Sequence, residues 1–381
     1  MSGAASTFNT SFGTFDLLRY PPRPREPLRA WCAADELLLE EVQGLGVPSN
    51  QVLVANDEQG ALCTALQPRA LWTDSAMAAL ALAANLRRNQ RNKVEVVWST
   101  GPPPGDAILA VLRVPKQLPY FEYQLAHLAG ALPAGATLLA AGMDKHLSPR
   151  TAGLLEHYIG PTERHPGRRK ARLFSATLLD SPRPPPPPDT RYYCDELGAE
   201  LIALPNVFSR EGLDIGSRFL LAHLDRLAPS GTVLDLACGN GVLGLAALQR
   251  GLAAQLVCCD ESAMASASTR ANLQRLFPER SADILVRQGD GLLAYRGPAP
   301  QLILCNPPFH INHAVDEFAG RRLLSQCAEV LAPGGELLLV ANRHLDYGPT
   351  LRRAFGTVKQ LARNSKFILW HASLAQGSIP A

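Results

Sequence analysis

Three stretches of the chain occur twice, in the same order. "VLVANDEQGAL", from Val52, faces "VLDLACGNGVL", from Val233; Val52/Val233, Leu53/Leu234, Gly60/Gly241 and Leu62/Leu243 match at one offset. "SAMAALALAANL" (75–86) faces "SAMASASTRANL" (262–273), repeating Ser75, Ala76, Met77, Ala78, Ala84, Asn85 and Leu86. "LPAGATLL" (132–139) faces "LAPGGELL" (331–338). Alanine-rich helices produce chance matches, so no single pair decides anything; the shared order does. An internal duplication on this scale requires one architecture to be built twice. A length of 381 residues accommodates two domains of ordinary size.

Each half alternates strands and helices. In the second, "TVLDLA", "AQLVCCD", "DILVRQGD", "QLILCN" and "ELLLVAN" read as strands. Between them "VLGLAALQRG", "SAMASASTRANLQRLF" and "GRRLLSQCAEVLAPGG" read as helices with glycine stops. Strands of continuous apolar character separated by helices imply a doubly wound, mostly parallel sheet covered on both faces. The expected fold class is α/β: two tandem, Rossmann-like doubly wound domains. Ligands bind such sheets beyond the carboxyl ends of the strands.

The boundary is marked by "LLDSPRPPPPPDTRYY", in which Pro184–Pro188 are consecutive. Such a tract forms extended polyproline II, a semi-rigid spacer. An SH3-type ligand is the competing reading, but a tract flanked by two domains is better read as a spacer. The chain therefore divides into a flexible N-terminal arm (1–27), a first domain (28–175), a proline-rich linker (176–190) and a second domain (191–381).

Several classes are excluded. No apolar run reaches the roughly 18–20 residues of a membrane span, and the first residues lack the basic and apolar regions of a signal peptide. The eight cysteines contain no C-x-x-C pair. Buried, reduced thiols in a cytoplasmic protein are expected, with no disulfide frame and no metal site. The net charge of +3 does not by itself announce a nucleic-acid binder. The run "ERHPGRRKARLF" (163–174) holds Arg164, Arg168, Arg169, Lys170 and Arg172. It suits phosphate neutralisation and equally a solvated basic loop.

The chemistry concentrates in the second half. Gly239, Gly241 and Gly244 give G-x-G-x-x-G directly after a strand, a pattern that by itself also suits a dinucleotide. Two acids shift the balance. Asp235, inside the strand, can receive an amino-acid ammonium through water or backbone, whereas a dinucleotide site must accommodate a pyrophosphate. Asp260, at the end of the next strand, suits two ribose hydroxyls; it could also cap the following helix. Asp290 in "RQGDGL" could accept from an adenine amino group or shape a turn beside Gly291.

In these features the second half resembles the class I S-adenosylmethionine-dependent methyltransferases. The glycine loop, Asp235, Asp260, the "GD" at 289–290 and "NPPF" at 306–309 stand in that family's order. The resemblance implies S-adenosylmethionine as the methyl donor, held by Asp235, Gly239, Gly241, Asp260 and Asp290. In the family, N/D-P-P-Y/F/W marks methylation of an amino nitrogen in a planar conjugated system. The Asn306 side-chain oxygen and the Pro307 carbonyl would each accept one N–H of that amine. Pro307 and Pro308 fix the backbone, and Phe309 would stack on the planar substrate. His310 could receive the departing proton but suits a surface or core position better.

"NVFSREGLDIGSRFLLAHL" (206–224) resembles the segment before the cofactor loop in bacterial small-domain ribosomal RNA guanine-N2 methyltransferases. There Phe208, Gly212 and the rest of "GLDIG" would help close the cofactor pocket. The plainer reading of "GLD" is a loop followed by a helix N-cap at Asp214 or Ser217. "LRAWCAADELLL" (28–39), "KARL" (170–173) and "VANRHLDYGPTLRRAFG" (from 340) are similar to the large-subunit enzymes of that group. The resemblance covers essentially the whole chain. It implies methyl transfer to N2 of a guanine in 23S rRNA, free or in an assembling large subunit. No metal and no membrane are expected, and a monomer is compatible. A 16S rRNA guanine-N2 enzyme and a protein glutamine N5-methyltransferase are the alternatives.

In the first half, Asp235 is replaced by Val54, Gly239 by Glu58, and "NPPF" by "VPKQLPY" (114–120). This half is expected to be a degenerate methyltransferase domain that recognises RNA. Arg87, Arg88, Lys116 and the 164–172 cluster are its candidate phosphate contacts.

Overall fold

A computed structural model describes residues 6–23, 26–182, 184–293, 295–307 and 317–375. The chain forms two compact units, Met1–Pro188 and Asp189–Ala381. In the first, the elements are β1 (Ser6–Thr10), β2 (Gly13–Leu17), α1 (Ala33–Leu45), β3 (Val52–Ala55), α2 (Ala61–Leu66), β4 (Ala70–Thr73) and α3 (Ala76–Arg88). They continue with β5 (Glu95–Trp98), β6 (Leu109–Arg113), α4 (Leu118–Ala131), β7 (Thr137–Met143), α5 (Thr151–Tyr158), β8 (Thr162–Arg164) and β9 (Ala171–Thr177). In the second unit they are β10 (Thr190–Cys194), β11 (Ala199–Ala203), α6 (Ile215–Leu221), β12 (Ser230–Leu236), α7 (Val242–Gln249), β13 (Ala253–Asp260) and α8 (Ala263–Leu276). It closes with β14 (Ile284–Gln288), β15 (Leu302–Cys305), α9 (Glu317–Val330), β16 (Glu336–Asn342), α10 (Gly348–Ala354), β17 (Thr357–Arg363) and β18 (Phe367–Ser373).

The two units match element for element. Their seven-stranded sheets run β5-β4-β3-β6-β7-β9-β8 and β14-β13-β12-β15-β16-β18-β17. In each, five strands are parallel and the last two join antiparallel. The central strands are buried on both faces, which is why "VLVA" and "LILC" read as unbroken apolar runs.

The repeated residues have definite structural duties. Ser75 and Ser262 cap α3 and α8, each accepting the N–H three residues on. Gly60 and Gly241 turn the chain into α2 and α7 at φ 76° and 86°. A Cβ there would lie 2.7 Å from Leu82 Cα in the first unit and 3.0 Å from Thr269 Cγ2 in the second.

The largest departure from expectation is at the N-terminus. Residues 6–17 are not part of a loose arm; they form the β1–β2 hairpin. Its Phe8, Phe15 and Leu17 are buried in the first core, and Phe8 stacks on Trp31 at 4.5 Å. The physical reason is an anchor on α3. Asn85 accepts the Leu18 N–H at 2.9 Å and donates to the carbonyls of Leu18 (2.9 Å) and Gln59 (2.8 Å). Asn272 does the same in the second unit, for both backbone groups of Ile202 and the carbonyl of Asn240. The N-terminal hairpin is thus the counterpart of β10–β11. The linker is also shorter than expected: β9 reaches Thr177, Leu178 exchanges backbone bonds with Gly135 and Ala136 just before β7, Leu179 donates to the Ile159 carbonyl at the end of α5, and β10 starts at Thr190.

Asn85→Ala would leave three backbone groups without a partner. At about 1 kcal/mol per lost bond, stability should drop by about 2–4 kcal/mol in a denaturant titration of the full chain. An unchanged midpoint would mean that the hairpin is held by its apolar face alone.

Among the described residues no helix is long and apolar enough to cross a membrane, and no cluster of three or more His, Cys, Asp or Glu could hold a metal. All eight cysteines are free, and all but Cys32 are buried.

Candidate active site

The carboxyl ends of β12, β13 and β15 lie side by side, because Leu236 pairs with both Cys259 and Cys305. The glycine loop, Asp260 and Asn306 each begin where one of these strands stops. A single sheet edge therefore gathers residues spread over more than seventy positions of sequence.

The loop is held from several sides. The Gly239 N–H donates to Asp260 Oδ2 at 2.9 Å, and Asp260 Oδ1 accepts the Ser262 N–H at 3.0 Å. Thr269 Oγ1 donates to the Gly239 carbonyl at 3.0 Å. Asn240 reaches across to the Tyr192 hydroxyl on β10 at 2.9 Å. Asp260 is thus half-buried at the strand end and braces the loop; the cap of α8 is Ser262 rather than Asp260. Gly244 has the close approach its place in the pattern requires, since a Cβ would come within 3.1 Å of Leu256 and Cys258.

Asp235 is 0% exposed. Its Oδ2 accepts the Gly244 N–H at 2.8 Å, whereas Oδ1 is buried with no hydrogen-bond partner among the described residues. Burial, reinforced by the charge of Asp260 and opposed by the Gly244 bond, pushes its carboxyl up to about 7. A buried carboxylate with one unused oxygen beside a glycine loop fits a ligand that brings positive charge.

Asp290 departs from expectation. Both carboxylate oxygens are bound by the guanidinium of Arg322 on α9, Oδ2 at 2.7 Å, and the side chain is 1% exposed. The carboxylate is spent on a fork-like ion pair and does not stand open to an adenine amino group. No signal in the sequence marks Arg322 as its partner.

Phe208 also departs from expectation. The residue is 69% exposed and is not packed over the glycine loop by the described residues. The chain turns sharply at Ser209 (φ 52°), whose hydroxyl donates to the Gly212 carbonyl at 2.8 Å, and the turn leaves Phe208 outside. Gly212 shapes this turn, with nothing within 4 Å of where its Cβ would be.

The neighbouring residues do reach the site. Asp214 caps α6 by accepting the Ser217 N–H at 2.9 Å. The same Oδ2 accepts from Asn306 Nδ2 at 2.8 Å, and Ser217 Oγ accepts from Nδ2 at 2.9 Å. Asn306 Oδ1 is buried without a partner among the described residues. The carboxamide is therefore held by its nitrogen and offers its oxygen. Pro307 follows directly and is buried. Pro308, Phe309 and His310 lie outside the described residues.

The corresponding edge of the first unit is filled. Asn56, at φ 60° after β3, exchanges two hydrogen bonds with Gln124 on α4, at 2.8 and 2.9 Å. Tyr120 donates to Asn56 Oδ1 and bonds Ser99 Oγ. Asp57, which the sequence reading passed over, accepts the N–H groups of Ala61 and Cys63; burial and the nearby Asp35 raise its carboxyl to about 6. Of the basic cluster, Arg168 pairs with Glu40 at 2.6 Å, Arg169 with Glu36, and Arg172 with Asp144 at 3.2 Å. Three of its charges are thus offset within the unit.

This glycine loop, its two acids and the strand-end Asn-Pro belong to a recognised class. Residues 198–371 match the model of the methyltransferase small domain, and residues 5–180 match the RLMG N-terminal domain. The second match takes in the β1–β2 hairpin. A relative in Stutzerimonas stutzeri named ribosomal RNA large subunit methyltransferase G is 44% identical over 368 residues, 95% of this chain and 97% of its own length. One of the same name in Pseudomonas aeruginosa is 43% identical over 374 residues, covering 96% and 99%. The chain belongs to the ribosomal RNA large subunit methyltransferase G family. The fold is shared with the T. thermophilus 16S rRNA N2 G1207 methyltransferase, solved with AdoMet and guanosine, at TM-score 0.76 and 23% identity over 97% of this chain and 98% of that one.

Proposed function

We propose that this protein transfers a methyl group from S-adenosylmethionine to the exocyclic N2 of a guanine in 23S rRNA, giving N2-methylguanosine. The observation that carries the reading is the Asn306 carboxamide: nitrogen bound, oxygen without a partner among the described residues, at the strand end beside the glycine loop. The names of the relatives favour large-subunit RNA over 16S RNA or a protein glutamine as substrate.

The exocyclic nitrogen of guanine is a poor nucleophile because its lone pair is delocalised into the ring. Asn306 Oδ1 accepts one of its N–H groups and the Pro307 carbonyl the other. This pins the nitrogen and turns its lone pair toward the incoming methyl. Both acceptors interact more strongly as the nitrogen gains positive charge, so they stabilise the transition state more than the ground state. Bound S-adenosylmethionine supplies an electrophilic methyl on a sulfonium. The N–C bond forms as the S–C bond breaks, and the proton then passes from the nitrogen to solvent. Asp235 would hold the donor's ammonium and Asp260 its ribose hydroxyls. Gly239 and Gly241 would let the backbone come close. Phe309 would stack on the base.

The first domain would serve as an RNA platform. At its own strand-end crevice Asn56, Tyr120 and Gln124 are hydrogen-bonded to one another, in place of the acid and catalytic asparagine of the second unit. Arg87, Arg88, Lys116, Arg164 and Lys170 are the phosphate contacts we assign to it.

The test is incubation with methyl-labelled S-adenosylmethionine and either protein-free 23S rRNA, large subunits, 16S rRNA or release factor, followed by digestion to nucleosides or amino acids. Label in N2-methylguanosine from 23S RNA is expected. Label confined to 16S RNA or to protein would overturn the reading.

A further inference from the structure

We propose that Asp214 and Ser217 are positioning residues that set which atom of Asn306 faces the substrate. The inference rests on the guanine-N2 reading and adds to it the device that makes Asn306 an acceptor.

A carboxamide can sit in either of two orientations, with similar shape and opposite chemistry. With the oxygen outward it accepts an N–H of the amine. With the nitrogen outward it presents a donor to a group that is itself a donor. Nothing within Asn306 chooses between them. Asp214 Oδ2 and Ser217 Oγ lie 2.8 and 2.9 Å from Nδ2. A carboxylate can only accept, so a flipped amide would bring Oδ1 against Asp214 Oδ2, two acceptors at hydrogen-bond distance. Burial makes that exchange costly, because a buried donor–acceptor bond to a charged group would be replaced by two acceptors facing each other.

The close approach is built into the helix start. A Cβ on Gly216 would stand 3.3 Å from Asn306 Oδ1, 3.5 Å from Nδ2 and 2.9 Å from Asp214 Oδ2. A side chain here would have to push Asp214 Oδ2 and the amide oxygen aside, so glycine is the residue that leaves this arrangement undisturbed. The segment "DIGS" (214–217) thus supplies the acceptor, the clearance and the second acceptor, while its cap bond from the Ser217 N–H keeps Asp214 in place.

The experiment compares Asp214→Ala with Asp214→Asn in the full chain. Asp214→Asn can keep an oxygen acceptor in the same place. Asp214→Ala should lower kcat for guanine methylation about 10–100-fold, with KM for RNA and the affinity for S-adenosylmethionine within about twofold of wild type. Asp214→Asn should recover most of the loss. A readout independent of turnover is exchange of the Asn306 side-chain amide protons, followed by NMR with asparagine labelled at nitrogen. They should be protected in wild type and in Asp214→Asn, and exposed in Asp214→Ala. Wild-type kcat and retained protection in Asp214→Ala would overturn the proposal. So would parallel losses of kcat and cofactor affinity, which would mean a merely structural role. Absence of N2-methylguanosine with the wild-type enzyme would instead refute the functional reading, and the exchange measurement would still report on the amide.

Discussion

Asn306→Ala should reduce methyl transfer by about 10²–10³-fold and leave S-adenosylmethionine binding within about twofold of wild type. The scale is that of removing one preorganised hydrogen-bonding group aimed at developing charge. The separation of the two effects follows from the site. Asp235, Gly239 and Asp260 stand on β12, its loop and β13, and none is bonded to Asn306. Truncation at 306 leaves the Asp214–Ser217 cap bond intact, so α6 should keep its start. Single-turnover kinetics with isothermal titration of the cofactor check both halves. A fall in cofactor affinity equal to the fall in rate would make Asn306 a structural strut instead.

The second large effect is a pH dependence carried by Asp235. Its carboxyl is raised to about 7 by burial. If the ionised form holds the donor's ammonium, affinity should rise with pH and be about tenfold weaker at pH 6 than at pH 8, because about a tenth of the group is ionised one unit below its midpoint. Asp235→Asn should weaken binding about 10–100-fold at pH 8, the worth of a charge-assisted buried bond, and flatten the dependence. The same group acts on folding with a definite sign. The native state holds this proton more tightly than the unfolded chain, whose aspartates titrate near 4. Ligand-free stability should therefore fall as pH rises from about 4 to about 7, and Asp235→Asn should lose that part of the decline. Cofactor titrations and denaturant midpoints across pH 5–8 measure both. A pH-independent wild-type affinity would remove Asp235 from the ammonium site.

The duplicated fold was readable because it rests on local signals: doubly buried strands, serine caps at Ser75 and Ser262, and glycine turns at Gly60 and Gly241. The glycine loop was readable for the same reason, as short-range spacing around one strand end. The β1–β2 hairpin was missed since its short strands bury only three of their ten residues and their anchor, Asn85, is a buried polar residue on a distant helix. The basic cluster could not be apportioned from sequence: Arg168 and Arg169 pair with Glu40 and Glu36, more than a hundred positions earlier.

From the sequence alone come the repeat, the α/β class, the glycine loop with Asp235 and Asp260, and Asn306-Pro307 at a strand end. These are consequences of neighbours along the chain, where periodicity and backbone geometry act. Only the tertiary structure decides which oxygen is open. It spends Asp290 on Arg322, leaves Asp235 Oδ1 and Asn306 Oδ1 without a partner among the described residues, and sets Asp214 against an amide 92 residues away. The physical reason is that a buried polar atom is defined by the partners that packing brings to it. Packing joins residues by position in space, which spacing along the chain does not encode.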